Sequence, residues 1–434
     1  MLFSDITIVD EDFHIRQHCW VGVKDAHIAY VGTTPPDTTS DDYGEVYDGT
    51  GKVLMPGLYN AHTHVPMTLL RGYAENLPLQ AWLNDRVWPF EAHIDDDAAR
   101  PATLLAIAEM LRSGTVAFSD MYYNTKQRCE CVIETGIKAN ISEGTLSFDG
   151  SGYKEVAAYD INRMLLESYQ GAGDGRLLVD FCIHAEYTSN PTLVQEVGQA
   201  AAEAGVGTQI HLSETQSEHE ECKQRHDGMT PTQYFDSLGF FAAPCTAAHG
   251  VWTEADDWKL LAQRGVTIAH CSASNLKLGS GIAPIPDMLE AGINVALGTD
   301  GVASNNKHEL LSEAYLTSLI HKGLAHDPTV ISPEQALRCA TLNGARSQRR
   351  NDCGLIKEGY RADIIVLDTT GPHMNPAHDL LANLVFSVNS NDVVLTMVDG
   401  SVLYRNGEFM TIDIERAIAE TNAAAYAIAQ KVNG

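Results

Sequence analysis

Short alternating runs open and close this chain, and longer mixed runs fill its middle. Near the start, ITIVD, HCWVGVK, HIAYVG and EVYDG alternate apolar and polar positions and are separated by Asp, Gly and Pro. That is the pattern of half-buried β-strands broken by turns. ADIIVLD, DVVLTMVDG and SVLYRNGEF repeat it near the C-terminus. No linker or low-complexity tract sets either group apart, so the two read as one small β-domain assembled from both ends of the chain.

Between them, apolar β-branched runs at 53–58, 115–119, 138–142, 177–183, 206–210, 245–248, 266–269 and 294–297 alternate with helical patterns. In AARPATLLAIAEMLRSG, residues Leu104, Ala108 and Leu111 recur at helical spacing. Gly114 and Gly205 are placed to stop the helices before them. Strands alternating with helices imply parallel βαβ units, and eight such units match a (β/α)8 barrel of the TIM type. The expected organisation is a barrel over residues 57–354, flanked by a composite β-sandwich from residues 1–56 and 355–434, the last part ending in a helix. At 434 residues the chain is too long for one small core, which suits that division.

Composition narrows the setting. Hydrophobic residues make up 44% and charged residues 20%, ordinary for a globular protein. No apolar run approaches a membrane span, and MLFSDITIVDEDF lacks the basic and apolar regions of a secretory signal. Nine cysteines are scattered without a disulfide framework, so a reducing cytoplasm is expected. The formal net charge of −28 disfavours nucleic acid and anionic membrane surfaces as partners. A small molecule is the expected partner, and self-association is left open.

The candidate chemistry lies where the apolar runs end. His62 and His64 form a His-x-His pair after the first run, and alternate residues of a strand share a face. His211 ends the fifth run, His249 the sixth, and Asp300 follows the eighth. Barrel strands deliver catalytic groups from such ends. Imidazole and carboxylate together suit one borderline divalent ion, zinc first, with iron or manganese as alternatives. An Asp beside such an ion can both bind it and take a proton from its water, whose pKa zinc lowers to about 7. His249 reads either as a further ligand or as a hydrogen-bond partner of that water. Glu214, three residues after His211, is placed to carry protons between water and substrate. His270 ends the seventh run and is expected to border the site. No GxGxxG or Walker loop is present, so no nucleotide cofactor is expected. These residues describe a metal-dependent hydrolase.

The stretches NAHTHVPMTLLRGYAENLPLQAWL, SASNLKLGSGIAPIPDML and LGTDGVASNN carry a resemblance over nearly the whole chain. The sequence resembles the amidohydrolase superfamily, and within it the 5′-methylthioadenosine/S-adenosylhomocysteine deaminases. The resemblance implies that His62, His64, His211 and Asp300 bind one metal, and that Glu214, His249 and Asp300 are catalytic. The reaction it implies is hydrolytic deamination at C6 of an adenine nucleoside: 5′-methylthioadenosine, S-adenosylhomocysteine, 5′-deoxyadenosine or adenosine. It further implies that Trp82 packs against the nucleoside, Glu91 accepts the ribose hydroxyls and His184 donates to a purine ring nitrogen. Glu214 would reach N1, and Ser304 would make a polar contact near the base. Some members hold a second metal through a carboxylated lysine on the fourth strand; LLVDFCIHAEY has no lysine, so a single metal is expected.

One departure concerns the 5′ end of the substrate. Glu143 stands where relatives that accept S-adenosylhomocysteine can place an arginine, and only Lys154 is basic nearby. Carboxylate against carboxylate is unfavourable, so a smaller, uncharged 5′ group is expected. Two other readings compete: a deaminase or chlorohydrolase of another aromatic amine such as guanine or a triazine, and a non-catalytic scaffold on the same fold.

Overall fold

The computed structural model describes residues 1–37 and 42–433. Eight parallel strands run in sequence order around a barrel: β1 Leu58–Thr63, β2 Thr115–Tyr122, β3 Lys138–Glu143, β4 Leu177–Cys182, β5 Gly207–Leu212, β6 Cys245–His249, β7 Thr267–His270 and β8 Asn294–Leu297. Six of them are buried at every residue, β4 and β8 at all but one. That is why they read as continuous apolar runs rather than alternating ones: helices cover one face and the barrel interior the other. The seam between β8 and β1 is closed by side chains. Asn60 accepts from the Thr299 amide at 3.0 Å and donates to its hydroxyl at 2.7 Å. The Asp300 amide then donates to the His62 carbonyl at 3.0 Å, which ties two candidate site residues together through the backbone.

The helices between the strands follow their local signals. Helix Pro191–Ala204 starts with proline in its first turn, Asn190 caps it by accepting from the Leu193 amide, and Gly205 ends it at φ 67°. Helix Asp96–Arg112 is capped by Asp95, which accepts from Ala98. The C-terminal helix Ile414–Asn433 packs back on Asp96–Arg112 and so belongs against the barrel rather than against the terminal strands.

Those terminal strands form one mixed sheet of nine strands that draws on both ends of the chain. Leu2–Val9 pairs with Val46–Asp48 along its first half and with Lys52–Pro56 along its second, and its antiparallel pairing with Ile15–Lys24 carries register shifts. The sheet therefore curls around a core of its own, including Phe3, Ile6, Val21, Leu54, Ile364 and Met397. The first expected barrel strand, 53–58, needs correction. Lys52–Pro56 pairs with Ile364–Asp368 in the terminal sheet, and the barrel begins after Gly57, at Leu58. Gly57 is the break, because a Cβ there would lie 2.3 Å from Val116 on β2.

The barrel floor and the sheet meet at a buried charge cluster. Lys138, the first residue of β3, places its ammonium 2.5 Å from Asp363 and 2.6 Å from Asp399, both carried by the sheet. The Tyr59 hydroxyl also donates to Asp363. Removing one partner of a buried ion cluster strands the others without water. Lys138→Met is expected to lower unfolding free energy by about 3–5 kcal/mol, read as a drop in the urea midpoint; an unchanged midpoint would show that the cluster contributes nothing net.

Candidate functional site

The C-terminal ends of the strands bring the widely spaced sequence candidates to one point. His62 comes from β1 and His64 from just beyond it. His211 sits in β5, His249 is the last residue of β6, and Asp300 follows β8 by three residues. The ring centroid of His62 lies 4.8 Å from His64, 4.9 Å from His211 and 5.7 Å from His249. Asp300 Oδ1 lies 3.2 Å from His64 Nε2 and 3.5 Å from His62 Nε2. His249 and Asp300 adopt φ of 73° and 59°, left-handed conformations that cost a non-glycine residue about 1–2 kcal/mol. The chain tolerates that strain at two of the groups that must face inward.

The hydrogen bonds of the imidazoles show what this point is built for. His64 Nδ1 lies 2.5 Å from the Met121 carbonyl and His211 Nδ1 lies 2.7 Å from the His184 carbonyl. A carbonyl only accepts, so each Nδ1 carries a proton and each Nε2 is left as a lone pair in the neutral ring. Those two Nε2 atoms are 3.3 Å apart. Facing lone pairs at that distance repel unless a cation lies between them. His62 Nε2 is buried and has no hydrogen-bond partner, an arrangement that is costly unless it too serves a cation. His62, His64 and Asp300 each offer an atom within 4.8 Å of the others, as do His62, His211 and His249. Orienting ring bonds behind inward nitrogens are the usual support of a metal-binding histidine. The donor set fits a divalent ion.

Above this point lies a cavity lined among others by Trp82, Glu91, His184, Glu214, His249 and Asp300. Glu214 is 6% exposed; its Oε2 faces His249 Nε2 at 3.8 Å, and burial raises its pKa. Burial would depress His249, but the Glu214 and Asp300 carboxylates outweigh it and push it up. For Asp300 burial acts upward, yet the His62 and His64 imidazoles beside it hold it well below the usual carboxylate range. Glu91 accepts from the Tyr122 hydroxyl at 2.6 Å, and burial pushes it up to about 7. His184 Nδ1 lies 3.0 Å from the Thr188 hydroxyl, and burial lowers its pKa to about 4, so it is neutral.

Trp82 and Glu91 belong to one helical stretch, Leu79–Glu91, whose middle, Leu83–Val87, is wound as a π-helix. Such wide turns change the helical phase and often mark functional sites. Here the π-turn separates two residues that both line the cavity, and nothing in the sequence signals it.

Three expectations are revised. Ser304 lies behind Asp300, donating to its Oδ2 at 2.8 Å, and does not line the cavity. The side chain is too short to pass the carboxylate that it braces. Glu143 is buried at the end of β3, where the Thr125 hydroxyl donates to its carboxylate; it is not part of the main cavity wall but lines the adjoining groove together with Tyr123 and Leu146. His270 is buried beside His321, with ring centroids 5.6 Å apart, and is not part of the cavity wall. Sequence reading gave no role to Tyr122, Ser274, Asn275 or Ser280, each of which bonds a residue of the cavity wall.

Comparison with known proteins agrees with this geometry. The model of the amidohydrolase family matches residues 53–403. The chain is 40% identical over 386 residues to the 5-methylthioadenosine/S-adenosylhomocysteine deaminase of Dictyoglomus thermophilum, covering 89% of this chain and 90% of that one. It is 38% identical over 421 residues to the protein of the same name from Moorella thermoacetica, covering 97% of each. Among solved structures, an adenosine deaminase from Xanthomonas campestris with bound zinc superposes with a TM-score of 0.91 at 29% identity, covering 99% of this chain and 98% of the other.

Proposed function

This chain belongs to the amidohydrolase family, and we propose that it is a metal-dependent deaminase that converts an adenine nucleoside to the inosine-type product and ammonia. One observation carries this reading. Inward imidazole nitrogens, two of them 3.3 Å apart, meet Asp300 and Glu214 at the floor of a cavity walled by Trp82 and Glu91. We assign His62, His64, His211 and Asp300 as the ligands of one ion, zinc by analogy with the zinc-bound Xanthomonas structure and by the donor types. When bound, that ion supplies Lewis-acid activation of a water.

The residues of the chain do the rest. Glu214, whose pKa burial raises, gives a proton to N1 of the purine and makes C6 more electrophilic. Asp300 accepts the proton of the attacking water, and His249 orients that water from the opposite side. The proton collected by Asp300 passes to the amino group, the C6–N bond breaks and ammonia leaves, and the remaining C6 hydroxyl proton returns to Glu214 as the C6 carbonyl forms. Glu91 offers two acceptor oxygens to the 2′- and 3′-hydroxyls. Trp82 packs on the nucleoside. His184, which lines the cavity and has Nδ1 3.0 Å from the Thr188 hydroxyl, is assigned to hydrogen-bond the purine ring.

The 5′ end of such a nucleoside would lie beyond Glu91. The space there is walled by Trp88, Tyr123, Leu146 and Phe148, with Asn124 beside them and no Lys or Arg among the lining residues. Asp149 and Glu155 stand further along the same groove wall. An amino-acid carboxylate would lose water there without gaining a cation, so we assign preference to an uncharged 5′ group such as methylthio. A charged group left without its hydrogen-bond partner forfeits about 1.5–3 kcal/mol. kcat/KM for 5′-methylthioadenosine and 5′-deoxyadenosine is therefore expected to exceed that for S-adenosylhomocysteine by about 10- to 100-fold. Preference for S-adenosylhomocysteine would overturn the assignment. Activity on free bases alone would overturn the nucleoside reading itself.

A further inference from the structure

The stretch SASNLKLGSG, residues 272–281, follows β7; Leu278 lines the cavity, and three polar side chains of the stretch touch working groups of the site from behind the cavity wall. The Ser274 hydroxyl donates to Asp300 Oδ2 at 2.6 Å. Asn275 Oδ1 lies 2.8 Å from His249 Nδ1. The Ser280 hydroxyl donates to Glu214 Oε1 at 3.1 Å. Three side chains within seven residues thus reach three groups contributed by β5, β6 and β8.

We infer that this segment is the positioning element of the site, in which Ser274, Asn275 and Ser280 each occupy one atom of Asp300, His249 and Glu214 and thereby decide which other atom works. Each contact takes the atom that faces away from the chemistry. Asp300 turns Oδ1 toward His62 and His64, where that oxygen also accepts from the Gly301 amide at 2.7 Å. His249 gives its Nδ1 proton to the Asn275 carbonyl and keeps Nε2 toward Glu214. Glu214 accepts on Oε1, so a proton that it carries sits on Oε2, the oxygen facing His249. A carboxyl free to rotate would present either oxygen, and a histidine free to change tautomer would present either nitrogen.

The segment is itself held from outside. The Ser272 and Thr317 hydroxyls are 2.8 Å apart, and buried Glu313 accepts from the Ala273 amide at 3.2 Å. Lys277 donates to the Ala303 carbonyl at 3.2 Å, and the Trp252 indole donates to the Ser280 carbonyl at 2.8 Å. Groups fixed by packing and by supporting hydrogen bonds hold reactive side chains within the narrow range that catalysis needs. The same anchors explain why the short helix Ser272–Lys277, with Ser274 and Asn275, and the turn after it, with Ser280, can hold three contacts in register.

The inference rests on the deaminase reading for turnover but not for metal retention, which gives the test two separate arms. Supporting contacts of this kind are worth about 10- to 100-fold in activity or metal affinity. Ser280→Ala and Asn275→Ala are expected to lower kcat by about 10- to 100-fold, with KM for 5′-methylthioadenosine and zinc content unchanged. Ser280→Thr, which keeps the hydroxyl, restores most of the loss. Ser274→Ala is expected to bind zinc about tenfold more weakly in competition with a chromophoric chelator; Ser304 still braces Asp300 there, so the effect is the smallest of that range. Parental kcat in Ser280→Ala, or parental zinc affinity in Ser274→Ala, overturns the inference. So do equal losses of kcat, zinc and melting temperature in all three variants, which is general loosening. If the parent enzyme deaminates no adenine nucleoside, the functional reading fails and the zinc arm alone decides this one.

Discussion

Glu214→Gln folds, retains its ion and loses turnover by about 10²- to 10⁴-fold, the usual contribution of a positioned proton donor. Glutamine keeps the size of the side chain and can still accept from Ser280, which donates to Oε1. It cannot give up a proton. Burial raises the Glu214 pKa, so an uncharged amide of the same size is tolerated at this position. The loss falls on kcat, because proton delivery to N1 belongs to the chemical step, whereas KM stays near that of the parent. Steady-state kinetics with metal analysis on the same sample checks the result. A near-normal kcat would remove Glu214 from the mechanism.

His211→Ala loses the ion and with it nearly all activity. Its Nε2 lies 3.3 Å from that of His64, and its Nδ1 is fixed by the His184 carbonyl, so no neighbouring side chain replaces it. Ion activation of water is worth several kcal/mol, and each 1.36 kcal/mol is tenfold, so the rate is expected to fall by about a thousandfold or more. Metal content falls in parallel. The melting temperature no longer rises on addition of zinc, because stabilisation by a ligand requires that it bind the folded state. Full metal content with full activity in this variant would show that His211 is not a ligand.

The barrel and the convergence of its chemical groups were legible because the buried parallel strands are largely apolar runs, several of which carry a polar residue at or just beyond their C-terminal end. The runs before His211 and His249 carry that signal, and Asp300 follows the eighth. The first strand was misplaced because one apolar stretch, 52–61, serves two sheets in succession; burial on both sides of Gly57 hides the change of partner. Trp82 and Glu91 became visible only through family resemblance, since a π-turn between them spoils any helical period. Ser304 and Glu143 were read from their places near the site, but which way a side chain turns depends on partners distant in sequence, here Asp300 and Thr125. Ser274, Asn275 and Ser280 lie in a stretch quoted for its resemblance, yet each acts through a group from another strand, and no local spacing reveals that. The nine cysteines are all buried and free, as scattered thiols suggest.

The non-catalytic alternative fits poorly with these contacts. Facing imidazole lone pairs, an unpartnered buried nitrogen on His62 and strained backbone at His249 and Asp300 are costs that a scaffold has no reason to keep. All of them are relieved or used when an ion and a substrate are present.

The central claim is that one ion held by His62, His64, His211 and Asp300 drives deamination in this cavity. The most direct measurement is the metal content of the purified protein, taken alongside its rate of ammonia release from 5′-methylthioadenosine before chelation, after chelation and during titration with zinc. The account requires about one ion per chain, loss of activity with its removal, and recovery that levels off at one equivalent. Protein without a stoichiometric transition metal, or a rate untouched by chelation, would contradict it.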